Sequence, residues 1–160
     1  PCPCGYRGDP RRDCHCSPIQ VERYMSKISG PLLDRIDIHL EVPAVAYRDL
    51  RSARPGVSSA QVREMVVRAR RIQAERFRNS KTRYNAEMSH RQVRTHCRMT
   101  EEAKTLLDAA MNDLGLSARA HDKVLRVART IADLDAAETI DVAHLSEAVQ
   151  YRMLDRKLWR

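Results

Sequence analysis

Four of the chain's five cysteines fall in its first sixteen residues, PCPCGYRGDPRRDCHC, as two C-x-C pairs: Cys2 with Cys4 and Cys14 with Cys16. Thiolates are natural ligands of tetrahedral Zn²⁺, and four of them complete its coordination. The residues between them are mostly Gly, Pro and Arg, too polar to build a core, so the segment needs a staple. Where thiols are kept reduced, zinc is a better staple than a disulfide. The C-x-C spacing is tighter than the common C-x2-C knuckle, which keeps redox-active or unstructured thiols as the competing reading. His15 offers an imidazole in place of a neighbouring sulfur, although its position between two cysteines makes simultaneous ligation difficult. No nearby Glu or His has the spacing of a water-activating centre, which disfavours a catalytic zinc. Cys97 stands alone on a predicted helix, where a cysteine is ordinarily a small core residue.

The second chemistry is positive charge. Twenty-nine Lys and Arg against 21 Asp and Glu give a net charge of +8, with one Trp, one Phe and five Tyr. That balance favours a polyanionic partner such as DNA, held by phosphate neutralisation more than by base stacking. The alternative is arginine that merely solvates long helices. The candidates for nucleic-acid contact are Arg63, Arg68, Arg70 and Arg71, all on one predicted helix. No run approaches the ~18 to 20 apolar residues of a membrane helix, and the first residues do not form an apolar signal segment. A cytoplasmic protein with no membrane partner is expected.

These residues must be positioned by local structure. Ser17 and Pro18 predict a helix over 18–28, as cap and first helical position. After the Gly30-Pro31 break, Ile36, Ile38, Leu40 and Val42 alternate with Asp37, His39 and Glu41, predicting a strand over 36–42 with one buried face. A lone strand needs partners, and nothing downstream supplies one. From 57 onward the period is helical. Ser58 or Ser59 caps a long helix to about Arg78, with Val62, Met65, Val66, Ala69 and Ile72 along one stripe. NSKTRYNAEM reads as a polar loop, and Ser89 caps a short helix through Cys97. Thr100 starts a helix bearing Ala103, Leu106, Leu107, Ala110, Met111 and Leu114, which Gly115 stops. Ser117 caps a helix with Val124, Val127, Ala128, Ile131 and Leu134. Asp141 caps the last, with Leu145, Ala148, Val149 and Leu154 inside and Trp159 packed nearby. The expected division is residues 1–50, a linker at 51–56 within the polar RDLRSARPG stretch, and a helical domain over 57–160.

CPCG followed by C-x-C, then SGPLLDRIDIHLEVP, GLSARAHDKVLRVARTIADL and HLSEAVQYRMLDR, resemble in order the C-terminal portion of bacterial magnesium-chelatase-like AAA+ ATPases. The resemblance is to the ComM/YifB type, linked to competence and DNA branch migration, and it covers nearly the whole chain. It implies a mainly α fold: a helical lid bundle of four to five helices, preceded by a short remnant of the α/β AAA+ core with a cysteine-rich insertion. In such ATPases the arginine of LLDRIDI looks like the arginine finger that reaches a neighbouring subunit's γ-phosphate; here it is Arg35. Arg119, two residues past the cap Ser117, resembles the sensor-2 arginine of the lid. Without the resemblance, Arg35 reads as an exposed arginine paired with Asp34 or Asp37, and Arg119 as solvated, with Arg126 or Arg129 in the sensing role.

The family further implies ATP and Mg²⁺ as cofactors of the full-length parent and a homo-oligomeric ring, and the pairs Cys2, Cys4, Cys14 and Cys16, the candidate ligands of a structural zinc, look like a family insertion. No G-x-x-x-x-G-K-[ST] occurs in these residues, so the chain by itself is not expected to hydrolyse ATP. Residues 1 to about 50 are then expected to be poorly ordered away from the rest of the core. A second reading is a stand-alone, zinc-stapled basic helical module that grips DNA. The lowest-ranked is part of a metal-inserting tetrapyrrole chelatase, since a shared engine says little about its task.

Overall fold

A computed structural model describes residues 1–9, 11–40, 42, 45 and 56–152. Glu41, residues 51–55, Leu154 and Trp159 lie outside them. Seven α-helices follow one another among the described residues: α1 (Pro18–Met25), α2 (Gly30–Arg35), α3 (Ser59–Arg76), α4 (His90–His96), α5 (Glu101–Leu114), α6 (Ala118–Leu134) and α7 (Val142–Gln150). A 3₁₀ turn at Asn85–Glu87 lies between α3 and α4. The mainly helical class expected from the sequence is the class observed.

The helix starts are written in single residues. Ser17, Ser58, Ser89 and Asp141 each close a reciprocal capping box with Gln20, Gln61, Gln92 and His144. Thr100 and Ser117 accept from the backbone N–H of Ala103 and Ala120. Each such cap satisfies an otherwise orphaned donor, worth about 1 kcal/mol. Gly115 ends α5 in the left-handed region at φ 59°, and the Leu116 N–H then reaches back to the Met111 carbonyl at 3.1 Å. That closure favours a residue without a Cβ.

α6 is the central element. Its buried face presents Ala120, Val124, Leu125, Ala128 and Ala132, small enough for neighbouring helices to approach closely. Phe77, Met88, Val93, Cys97, Ala103, Leu107, Ile140, Leu145 and Ala148 complete one continuous core around it. Burial pushes the Cys97 thiol up to about 12, against the pull of the Arg129 and Arg76 charges. Cys97 is therefore an inert core residue whose Sγ faces the Leu125 carbonyl.

Two expectations fail in instructive ways. Residues 36–40 and 42 form no strand; the single β-bridge among the described residues joins Met99 to Ile140. The expected inward face points outward, with Ile36, Ile38 and Leu40 at 43%, 47% and 65% exposure, while His39 is buried. With no sheet neighbour, the segment packs through its backbone instead: the His39 N–H donates to the Tyr151 carbonyl at 2.9 Å. On α3, Val62, Met65 and Val66 are exposed and only Ala69 and the residues after it meet the core. The apolar stripe is real, but its first half runs past the bundle.

A polar knot is buried between α3, the 3₁₀ turn and α6. Asp133, fully buried, accepts from the guanidinium of Arg76 and from Arg129 Nε at 3.1 Å, and from Asn85 Nδ2 at 2.8 Å. Arg129 also donates to the carbonyls of Glu138 and Ala137. Burial lowers the Arg129 pKa from its ordinary value while the Asp133 charge opposes the shift. Asp133→Ala would leave two guanidinium groups and an amide inside with no anion, so it should cost about 3–5 kcal/mol. Urea unfolding of the 160-residue chain measures this, with exposed Asp108→Ala as the control; a loss below about 1 kcal/mol would contradict the account.

Candidate functional site

The residues of the LLDRID stretch are held against the first turns of α6. Asp34 accepts from Ser117 Oγ at 3.2 Å and pairs with Arg119 Nη1 at 3.6 Å and Arg152 Nη2 at 3.8 Å. Its carboxylate thus sits at the N-terminus of α6, where unpaired N–H groups and the helix dipole favour negative charge. Lys123, one turn further along α6 and nearly buried, donates to the Arg35 carbonyl at 2.5 Å and pairs with Asp37 at 2.8 Å. Arg152, just past α7, donates to the Ile36 carbonyl.

This latch sorts the two arginines singled out from sequence. Arg119 lies on the latch, its side chain 65% exposed and paired with Asp34. Arg35, the residue after Asp34, is exposed, and its carbonyl accepts from Lys123. Asp34 and Asp37, the partners expected for a merely structural Arg35, are taken by Arg119, Arg152 and Lys123. Arg126 and Arg129 are committed elsewhere: Arg126 donates to the Met88 carbonyl at 2.7 Å, and Arg129 belongs to the buried knot. Sequence reasoning missed Lys123 and Arg152, and it gave Asp34 to Arg35, whereas the structure pairs it with Arg119 and Arg152. Asp34 was the legible one, an acid beside Arg35 in an otherwise apolar turn.

The cysteines converge. The Sγ atoms of Cys2, Cys4, Cys14 and Cys16 all lie within 4.8 Å of one another, and all four thiols are free. Cys2 is 3.3 Å from Cys4 and 3.6 Å from Cys14. Tight turns bring them together: the Gly5 N–H donates to the Cys2 carbonyl at 3.1 Å with Gly5 at φ 83°, and Arg11 N–H donates to Asp9. Burial raises the Cys2 pKa, but hydrogen bonds from Cys4, the Arg7 backbone, Cys14 and the Gly5 backbone outweigh it and hold this thiol at about 6. Cys16 is pushed up to about 12, because its neighbours' sulfurs and burial outweigh a backbone hydrogen bond at Cys4.

The four arginines proposed for nucleic acid separate. Arg68 donates to the Leu134 carbonyl at 3.0 Å, at the C-terminal end of α6, and Arg70 stacks 4.0 Å over the Tyr84 ring. Arg63 and Arg71 are exposed. No helix among the described residues is long and apolar enough to cross a membrane.

The chain folds as a helical bundle whose central helix is latched at its N-terminal turn, and two family models cover it. The family described as magnesium chelatase, subunit ChlI C-terminal, matches residues 56–152, and that described as magnesium chelatase, subunit ChlI, matches residues 1–50. The chain belongs to the magnesium chelatase ChlI C-terminal family. Competence protein ComM of Haemophilus influenzae is 41% identical over 143 residues, 89% of this chain and 27% of the relative. Uncharacterized protein YifB of Escherichia coli is 41% identical over 160 residues, 99% of this chain and 30% of the relative. Uncharacterized protein Rv2897c of Mycobacterium tuberculosis is 37% identical over 152 residues, 95% of this chain and 30% of the relative. The chain spans roughly three-tenths of the length of these relatives.

Proposed function

We propose that these residues are the lid and adjoining core segment of a longer, ring-forming, magnesium-chelatase-like ATPase that acts on DNA in the cytoplasm. Arg35 is its arginine finger, acting on a nucleotide held by the neighbouring subunit, and Arg119 is its sensor-2 arginine, facing nucleotide held by its own. ATP and Mg²⁺ belong to the part of the core that precedes these residues. A guanidinium is planar and permanently charged, which suits it to stabilise charge growing on a transferring phosphoryl group.

The observation that carries this reading is the split at the latch: Arg119 faces the carboxylate of Asp34, and Arg35 on the same segment is turned out to solvent with its backbone clamped by Lys123. Asp34 occupies the anion position at the head of α6, so it holds Arg119 in place until a phosphate competes for it. The DNA-acting part is supported by the +8 charge, which favours a polyanionic partner. The cysteine cluster fits a structural zinc. Tetrahedral Zn²⁺ with ligands near 2.3 Å places sulfurs about 3.8 Å apart, close to the spacing already present here, so binding needs little rearrangement. Cys2, Cys4, Cys14 and Cys16 would hold the ion, and the ion would supply the core this segment lacks.

The test is complementation between subunits. A full-length variant with Arg35→Ala and a second variant with a disabled phosphate-binding loop should each be inactive as ATPases, and mixing them should restore turnover. Failure of the mixture, or activity of Arg35→Ala alone, removes the finger from Arg35.

A further inference from the structure

A second concave site lies between the C-terminal half of α3 and the loop over 79–84. It encloses about 490 Å³, with Phe77 as its buried floor and Arg70, Ser80, Thr82, Arg83 and Tyr84 around it. No carboxylate lines it. The Arg70 guanidinium lies 4.0 Å over one face of the Tyr84 ring and donates through Nη1 to Gln73 Oε1 at 3.3 Å, which leaves its other nitrogens for hydrogen bonds and the opposite face of the ring for a base. Tyr84 is 41% exposed, and Arg83 and Lys81 are exposed beside it.

The loop is built rather than merely present. Gln92 Nε2 donates to Thr82 Oγ1 at 2.9 Å and Ser80 Oγ at 3.3 Å, and the Arg83 N–H donates to Glu87 at 2.7 Å. Glu87 therefore takes the Arg83 backbone. Asn85 anchors the far end to Thr130 and Asp133. An aromatic ring, two guanidinium groups and hydroxyls, with no carboxylate in the lining, are what a single nucleic-acid strand needs, stacking for a base and charge for its phosphates. An acidic peptide would use the charge and waste the ring.

We propose that this groove binds single-stranded nucleic acid, with Tyr84 stacking a base and Arg70 and Arg83 holding the flanking phosphates. The proposal deepens the DNA-acting part of the reading above and is independent of Arg35. Its position is informative, because Arg119 stands at the head of α6 and the groove is tied to its other end through Asn85 and Thr130. Arg119 and Thr130 are about 16 Å apart along the helix axis. A rigid helix between them gives the lid a nucleotide end and a strand end.

The experiment is fluorescence anisotropy of a labelled 20-mer oligodeoxythymidine titrated with the 160-residue chain over a range of salt. Tyr84→Ala should weaken binding on the order of ten-fold, Tyr84→Phe should retain it, and Arg83→Ala should weaken it and lower the salt slope by about one. Lys104→Ala, exposed on α5 and paired with Glu101 outside the groove's lining, should matter little. If the wild-type chain does not bind the oligonucleotide, both the groove and the DNA-acting reading fall. If it binds but Tyr84→Ala and Arg83→Ala bind equally well, the groove alone falls. Stronger binding of the matching duplex, or equal competition by polyglutamate, also overturns it, since neither uses the ring.

Discussion

Arg35→Ala in the full-length protein is expected to lower the rate of ATP turnover by about 10³- to 10⁵-fold while leaving nucleotide affinity nearly unchanged. The split follows from where the residue sits. A finger supplied from a neighbour touches the γ-phosphoryl oxygens as charge builds on them, so its removal costs transition-state stabilisation and little ground-state binding. Arg35→Lys should recover only part of the loss, because an ammonium cannot reproduce two parallel donors. The contrast is Arg119→Ala, which should weaken nucleotide binding within its own subunit. Lys123 gives the measurement a structural control: it is buried, and it fixes the backbone of the segment through the Arg35 carbonyl while pairing with Asp37. If Arg35→Ala raises KM and leaves kcat alone, Arg35 is a binding residue and the finger lies elsewhere.

What the sequence made legible is local chemistry. Ser58, Ser89, Thr100, Ser117 and Asp141 were expected as caps and are caps, because a cap is satisfied by a donor two or three residues away. Gly115 was expected as a stop for the same reason. The cysteine convergence was also legible, since fifteen residues with four thiols and almost no apolar side chains have few other ways to be held. The strand over 36–42 was not, because alternation describes a chain with two faces and says nothing of what covers them. Half of the α3 stripe was misread on the same grounds: Val62 and Ala69 look equivalent in sequence, and only the position of α6 separates them.

The remaining misreadings are long-range. Asp133 draws Arg76 from 57 residues away, and Asp34 meets Ser117 across 83. Arg129, four residues before Asp133 on the same helix, was read as a sensing alternative, yet it lies on the buried arc with Leu125, Ala128 and Ala132. An Arg and an Asp spaced i, i+4 inside an apolar arc signal a buried pair, and that signal was available. The groove at Tyr84 was hidden more deeply, since NSKTRYNAEM reads as solvated loop until Gln92 and Asn85 are seen to pin it.

Mutating Cys4 to Ser is expected to abolish stoichiometric zinc in the purified chain while leaving helices α3 to α7 folded. The argument turns on where the metal's energy goes. A tetrathiolate zinc site contributes on the order of 10–16 kcal/mol of apparent binding free energy at neutral pH, and in a segment without a core that binding is the folding energy. Among the described residues, the hydrogen bonds of the first sixteen are internal or run from Arg11 to the Val45 carbonyl. Loss of zinc should therefore unfold the cysteine segment alone. Elemental analysis should find one zinc per wild-type chain and almost none in Cys4→Ser, and Co²⁺ in its place should give the intense absorption of tetrahedral thiolate coordination. Limited proteolysis should cut between Cys4 and Cys14 only in the variant or after chelation, with the far-ultraviolet helical signal little changed. A wild-type chain that carries no zinc when expressed in zinc-replete medium, and that resists proteolysis no better than Cys4→Ser, would mean the four sulfurs meet for some other reason.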